Sequence, residues 1–341
     1  MRGGLAALVT LAVAAAGPGR AVLVTGHGLN EPFGVAFDAA GRTYIVEMAG
    51  HRVSVLDPAG RQSVLAGTGD KGYAGDGGPA EKARFNGPHH LLLGPDGALY
   101  VADTWNYAVR RIDLATRGIT TVAGTGVKGF SGDGGPAREA QFGGVFSIAF
   151  HGGRLYVCDL DNRRVRGVDP ETGIVTTVAG SGEKGVPRDG EDARTQPLVD
   201  PRAIAFDSQG NLYIAERGGH ALRVVDPAGR IRTVAGTGEA GFSGDGGPAR
   251  EARVNGPKHI WVTPDDDVLV TDTENHVIRR YSPRDGTIHR VAGTGRRGAA
   301  GLGGPPEACE LNRPHGAQAH PRTGALYISD SDNHRVIRIE R

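Results

Sequence analysis

Leu99-Tyr100-Val101-Ala102-Asp103-Thr104-Trp105-Asn106-Tyr107-Ala108-Val109-Arg110-Arg111-Ile112-Asp113 decides the fold, because its pattern recurs five more times along the chain. Acids equivalent to Asp103 stand at Glu47, Asp159, Glu216, Asp272 and Asp330, in steps of 56, 56, 57, 56 and 58 residues. Each copy has the pattern of a β-hairpin. A short apolar run such as Tyr100-Val101-Ala102 or Tyr213-Ile214-Ala215 meets a polar turn, and an alternating run such as Val109-Arg110-Arg111-Ile112 follows. Three residues after the acid comes Asn106, Asn162, Asn275 or Asn333, or Gly50 and Gly219 in the two copies whose acid is Glu. Asn and Gly tolerate left-handed backbone best, so we expect this position to carry the turn. The acid is expected to accept hydrogen bonds from the turn's own N–H groups, a structural rather than a catalytic role.

Working outward, one more apolar run precedes each hairpin (Val35-Ala36-Phe37, Ile204-Ala205-Phe206) and another follows it (Ile119-Thr120-Thr121-Val122-Ala123). Four short antiparallel strands in each of six repeats predict an all-β fold, a six-bladed β-propeller of four-stranded antiparallel blades. The run Asp272-Thr273-Glu274-Asn275-His276-Val277-Ile278-Arg279-Arg280, nearly repeated from Asp330 to Arg338, resembles the signature of the NHL-repeat family, whose domains are six-bladed propellers. That family includes binding modules, receptor sensor domains and a few enzymes, so the resemblance implies a fold more than an activity.

Residues 1–21 read as a secretory signal peptide: Arg2, an apolar stretch from Leu5 to Ala16, then Gly17-Pro18-Gly19, with cleavage expected at Ala14-Ala15-Ala16. The apolar stretch is too short to span a bilayer, and no Cys follows it as in a lipoprotein. This points to a secreted or periplasmic protein with no membrane insertion after cleavage. Val22-Leu23-Val24-Thr25 aligns with the fourth strand of the later repeats, whereas the last repeat stops after its third, Arg335 to Ile339. The ring is therefore expected to be closed by the N-terminal strand, with the propeller running from Val22 to Arg341.

Long connectors between the repeats carry Gly75-Asp76-Gly77-Gly78-Pro79-Ala80 and its equivalents at Gly132 and Gly244, with degraded copies around Arg188-Asp189-Gly190 and Gly301-Leu302-Gly303-Gly304-Pro305. They lack the Gly-Lys-Ser/Thr of a phosphate loop and the alternating oxygen ligands of a calcium loop. We expect tight crossovers in which Pro79, Pro136 and Pro248 start short helical turns with an apolar side at Ala83-Phe85, Ala140-Phe142 or Ala252-Val254. Loops of this length on one rim also suit a protein partner.

Thirty-nine basic against 38 acidic residues leave a net charge of +1 and no global field for nucleic acid or an anionic membrane. The paired arginines on the third strands alternate beside acids and do not form a basic face. Of the two cysteines, Cys158 takes the slot that holds Val46, Ala102, Ala215, Thr271 and Ser329 in the other repeats, and Cys309 lies in the connector before repeat six. They fall on opposite sides of the ring, so two free thiols are expected. We expect a monomer.

The inner strands of a propeller converge on a central channel, and their first residues are the candidates for ligand contact. The first such position holds Phe33, His89, Phe146, Arg202, Lys258 and His315, and the second holds Gly34, His90, Ser147, Ala203, His259 and Gly316. His89, His90, Arg202, Lys258, His259 and His315 thus gather at one mouth with no acid among the twelve positions, a set suited to a small anionic ligand. The pairs Pro88-His89 and Pro314-His315 resemble those of the peptidyl-hydroxyglycine amidating lyases, NHL propellers in which Pro-His on alternate blades supplies three histidines to zinc. The resemblance implies a zinc site at His89 and His315 whose third ligand falls on blade four, where this chain has Arg202, a permanent cation. Six-bladed lactonases hold a central calcium with Glu, Asn and Asp, which these positions lack. No Gly-x-Ser-x-Gly and no Cys-His pair offers a nucleophile, and His51, His220, His276 and His334 fall one per hairpin turn, far apart. The sequence thus leads to an exported binding propeller with no predicted cofactor. The alternative is a zinc- or calcium-dependent lyase or hydrolase centred on the channel.

Overall fold

A computed structural model describes residues 19–26 and 28–340; the leader expected over residues 1–21 lies, up to residue 18, outside the described residues. Six four-stranded antiparallel sheets stand around a central channel. Blade one consists of Pro32–Phe37, Thr43–Glu47, Arg52–Leu56 and Gln62–Ala66 from the inside outward, and four further blades repeat that order. Blade six takes its outer strand from the other end of the chain: Arg20–Thr25 pairs antiparallel with Arg335–Glu340, Ala21 opposite Ile339 and Leu23 opposite Ile337. The closure expected from the two incomplete repeats is therefore present. The closing strand starts at Arg20, two residues before the expected Val22, and Ala21 is fully buried.

Apolar faces of neighbouring blades pack into a continuous ring of core, for example Val46, Leu91, Val101 and Ile112 between blades one and two. The connectors add to that ring. After Pro79 the chain makes a single 3-10 turn, Ala80–Lys82, which drops Ala80, Ala83 and Phe85 into the core. Gly77 and Gly78 then exchange backbone hydrogen bonds with Ile119, the first residue of the outer strand of blade two (2.8 and 3.1 Å). The same arrangement caps Val175, Ile231, Ile288 and, on the closing strand, Ala21. Each connector thus covers an outer strand edge that would otherwise offer unpaired N–H and C=O groups.

The conserved turn departs from expectation in two ways. The left-handed residue is not the Asn or Gly but the one after it: His51, Tyr107, Arg163, His220, His276 and His334, with φ between 46° and 57°. The Asn instead spends its side chain, Asn106 donating to Asp103 (2.8 Å) and to the Gly72 carbonyl of the preceding connector (2.6 Å). The acid, fully buried in all six blades, binds donors outside its turn: Asp103 accepts from the Asn86 N–H (2.8 Å) and pairs with Arg110 (3.3 Å). The alternation of Asp…Asn with Glu…Gly follows from volume. A Cβ on Gly50 or Gly219 would lie 2.9 Å from a carboxylate oxygen of Glu47 or Glu216, so the longer acid fills the space of the missing amide. Four of the turn histidines join blade to blade, because Nδ1 of His51, His220, His276 and His334 accepts the N–H of Gly87, Gly256, Arg313 and Glu31.

The third-strand arginines are the largest departure, since Arg110, Arg166 and Arg279 are fully buried. Each lies between the strand-end acid and the Asp of the preceding connector: Arg110 contacts Asp76 at 2.6 Å, Arg166 contacts Asp133 at 2.7 Å and Arg279 contacts Asp245 at 2.8 Å. That Asp is therefore an anchor for the loop. Where the connector has Leu302 in its place, the matching third-strand residue is Ile337, and the acid of blade six is held by Arg335 instead (2.7 Å). The half-exposed Tyr73 and Phe242 stack over Arg110 and Arg279. Cys158 and Cys309 are both buried free thiols, and burial raises both.

Candidate functional site

The six inner strands start at one face of the ring, and their first residues converge there by symmetry. Phe33, His89, Phe146, Arg202, Lys258 and His315 line one cavity of about 480 Å³ at the channel mouth. Trp105, Met48 and Leu160, from the hairpin turns of the first three blades, complete its wall. His90 and His259 do not reach this cavity. They meet one layer deeper, across the channel from blades two and five, with their Nε2 atoms 3.2 Å apart. The Ile148 N–H donates to His90 Nδ1, so the His90 proton sits on Nε2 and donates to His259. The proton of His259 is then on Nδ1, buried with no partner among the described residues. Burial holds His90 down to about 4 and His259 well below the ordinary imidazole range, so the pair is neutral and closes the channel beneath the cavity.

At the mouth, His89 donates through Nδ1 to the Gly87 carbonyl (2.6 Å) and His315 through Nδ1 to the Arg313 carbonyl (2.9 Å). Both are kept neutral, first by burial and then by nearby cations, Arg202 before Lys258 for His89 and Lys258 before Arg202 for His315. Phe33 lies between them, stacked on His315 at 3.9 Å and edge-on to His89 at 4.8 Å. Trp105 and Phe146 also meet the His89 ring edge-on, at 5.2 and 4.9 Å. These aromatics were not singled out from the sequence. Phe33 and Phe146 occupied aligned positions but were passed over for their charged neighbours, and Trp105 stood in the turn read as structural.

The cations differ in how they are balanced. Lys258 donates to Glu274 (2.7 Å) and to His315 Nε2 (3.4 Å). Burial would raise Glu274, yet its bonds to Arg313 and Lys258 pull it down to about 2. Arg217 is paired with Asp200 (2.7 Å), Arg313 with Glu274 (2.9 Å) and Lys128 with Asp161 (2.6 Å). The absence of acids among the aligned positions is thus made good by Asp161 and Glu274 of the hairpin turns and by Asp200, just before the inner strand of blade four. Arg202 is the exception. It is 4% exposed, its guanidinium forms no ion pair or hydrogen bond with any described residue, and its only close aromatic contact is the Phe146 ring, 4.5 Å below it. Burial, then Arg217, draws it down to about 9, which leaves it protonated at neutral pH.

The same geometry tests the zinc site that the Pro-His resemblance implies. The Nδ1–H bonds of His89 and His315 to carbonyls are of the kind that orients metal ligands. The rest of the donor set does not fit: Phe33 separates the two rings, the ammonium of Lys258 lies 3.4 Å from His315 Nε2, and the third place holds a guanidinium. No group of three His, Cys, Asp or Glu side chains within ligating reach occurs among the described residues.

No family model matches the chain. Among proteins of similar sequence, Protein SUPPRESSOR OF QUENCHING 1, chloroplastic, of Arabidopsis thaliana is 28% identical over 283 residues, covering 79% of this chain and 26% of that protein. NHL repeat-containing protein 2 of Gallus gallus is 25% identical over 336 residues, covering 89% and 46%. The chain therefore spans from about a quarter to just under half of the length of these relatives. Among solved structures, an auxiliary nutrient binding protein from Bacteroides thetaiotaomicron superposes with a TM-score of 0.66 at 17% identity, covering 92% of this chain and 69% of that one. A protein described as a putative gluconolactonase superposes with a TM-score of 0.63 at 12% identity, covering 96% and 93%. At such identities the superpositions speak for the fold alone. Six copies of one acid-turn hairpin, a ring of six blades closed by the N-terminal strand and the likeness to NHL repeat-containing protein 2 support an NHL-repeat six-bladed β-propeller.

Proposed function

We propose that this propeller is an exported binding module that takes a small anionic, carboxylate-bearing ligand at the channel mouth. Arg202 carries the reading. A buried guanidinium without a paired acid costs folding stability; Asp200, the nearby carboxylate, is bound to Arg217, whereas every other buried arginine among the described residues has an acid of its own, so we read Arg202 as left for a partner from outside. The pocket is concave, and the aromatic rings of Phe33, Trp105 and Phe146 share its wall with charged side chains that, Arg202 and Glu31 apart, are held in ion pairs. The apolar leader supports export, as does the likeness to a nutrient-binding propeller. Among the described residues no helix is long and apolar enough to cross a membrane.

The test is thermal unfolding of wild type and Arg202→Met across a panel of small carboxylates. Without ligand the variant should melt at the wild-type temperature or above it, because the unpaired charge is gone. The carboxylate-induced stabilisation of the wild type should be lost. An Arg202→Met protein that melts several degrees lower without ligand would make the residue a structural cation held by Phe146, and the proposal would fall.

A second reading, a metal-dependent lyase or hydrolase at the channel, draws on the Nδ1-anchored imidazoles of His89 and His315. Metal analysis of the same preparations separates the two. One equivalent of zinc, lost on His89→Ala with His315→Ala, would favour the lyase. On the binding reading neither the wild type nor that double variant retains zinc, because Phe33 lies between the two imidazoles and the Lys258 ammonium stands beside His315.

A further inference from the structure

The mouth is divided by chemistry. Phe33, Met48, Trp105, Phe146 and Leu160 all belong to the first three blades, whereas four of the five cations of the wall, Arg202, Arg217, Lys258 and Arg313, belong to the last three; the fifth, Lys128, is exposed and paired with Asp161 of blade three. His89 sits on the apolar half, enclosed by the three aromatic edges, with its Nδ1 committed to Gly87. On the cationic half, Arg217, Lys258 and Arg313 are each engaged by Asp200 or Glu274, and only Arg202 is not. Glu31, the acid of the wall without an ion pair, lies part-exposed at the rim. One free buried cation facing an aromatic wall sets both the charge and the shape of what fits.

Resting on the anion-binding reading above, we infer that the ligand is a monocarboxylate carried on an aromatic or similarly flat apolar body. Its carboxylate is held by Arg202 and its body lies against Phe33, Trp105 and Phe146. A guanidinium over the Phe146 ring with no donor committed within the described chain suits a carboxylate, whose two oxygens match its planar fork. A dianion such as a phosphate would need a second unpaired donor, and the neighbouring cations are already engaged. A polyol acid would place hydroxyls against aromatic edges that return no hydrogen bond. Trp105, 40% exposed at the rim, is the wall residue that such a body would cover.

Trp105 also supplies a readout independent of affinity, since the chain has two tryptophans and the other, Trp261, belongs to the inner strand of blade five. The experiment titrates the full-length protein with phenylacetate, acetate, D-gluconate and phenyl phosphate, by calorimetry and by tryptophan fluorescence. Phenylacetate should bind at least tenfold more tightly than the other three. It should change the emission of wild type and Trp261→Phe but not of Trp105→Phe, and lose its affinity in Arg202→Met. Acetate, gluconate or phenyl phosphate binding as tightly as phenylacetate, still dependent on Arg202, would overturn the aromatic-monocarboxylate assignment while leaving the anion site in place. Binding of none of the four, or binding unaltered by Arg202→Met, would remove both.

Discussion

Replacing Arg110 with Ile tests whether the buried acid–arginine–acid triads hold the propeller together. Arg110 and Asp103 are both fully buried, Asp76 is partly exposed, and the guanidinium reaches the two acids at 3.3 and 2.6 Å. Removing the cation leaves Asp103 in the core with only the Asn86 N–H and the Asn106 amide and pushes it further toward the protonated form, a loss of about 3–5 kcal/mol for a broken buried pair. In a ring of this size that is a drop in Tm of about 4–8 °C, from an unfolding entropy of about 2 cal/mol/K per residue. Blade six shows how the chain manages without this arginine: Leu302 replaces the connector Asp, Ile337 the Arg, and Arg335 moves in to hold Asp330. Transplanting that solution into blade two means Asp76→Leu, Arg110→Ile and Ala108→Arg together. Calorimetry and urea unfolding should rank the variants, with Arg110→Ile the least stable, Asp76→Leu/Arg110→Ile above it by relief of the stranded connector acid, and the triple variant within about 2 kcal/mol of wild type. An Arg110→Ile protein within about 1 kcal/mol of wild type would refute the triad as a stabilising element.

Deleting Ala21–Gly26 should destabilise the whole ring by about 3–5 kcal/mol, because it removes the buried Ala21 and the ladder to Arg335–Glu340. An unchanged Tm would show that closure does not depend on this strand. The buried imidazoles give a pH signature. His89, His90, His259 and His315 have folded pKa values pushed below the unfolded value, so the unfolded chain takes up protons first, and stability present above about pH 6.5 is lost as the pH falls toward 4. Asp103, Asp159 and Asp272, raised to about 6 by burial, act in the opposite sense and gain stability as the pH falls through 6. From pH 7 to 6 the four imidazoles cost about 3 kcal/mol and the three acids return about 1, so urea midpoints should fall by the equivalent of about 2 kcal/mol. A flat or rising midpoint over that interval would contradict neutral burial of the histidines.

The architecture was legible because a propeller writes its period into the sequence: one acid at near-constant spacing located all six hairpins, and the missing strand at each end located the closure. The turn chemistry was legible only in kind. Asn106 was read from its backbone tolerance, whereas its side chain carries the contact, and a residue type does not announce which of its two properties a fold uses. Arg110, Arg166 and Arg279 were read as one side of an alternating surface. Strand periodicity reports which side of a sheet a residue takes, not whether a connector from the previous blade covers that side. A signal for it was present, in the joint change of Asp to Leu302 and Arg to Ile337. Strand alignment brings Arg202, Lys258, His89 and His315 to one level of the ring, and all four line the same cavity. The same alignment does not tell that His90 and His259 point one layer below.

Comparing equivalent positions around the ring separates those whose irregularities compensate one another from the one where no compensating acid is paired. Where the strand-end acid changes from Asp to Glu, the residue three places on changes from Asn to Gly, and the Cβ that would meet the longer carboxylate is gone. Where the third-strand Arg changes to Ile, its connector Asp changes to Leu. Each irregularity of the structural positions is answered by another within the chain, as expected when the only demand is a closed, satisfied core. The first channel position varies far more widely, through Phe33, His89, Phe146, Arg202, Lys258 and His315. Lys258 is answered by Glu274, and the imidazoles by the Gly87 and Arg313 carbonyls. Arg202 is paired with no acid in the described chain, having only the Phe146 ring beneath it and Asp200, already bound to Arg217, at longer range, although in the triads the same protein surrounds buried guanidinium groups with carboxylates. A fold selected only for stability would replace this arginine with an apolar residue of similar volume. Its presence, buried and unpaired over Phe146, is the irregularity on which the proposed anion site rests and which Arg202→Met tests.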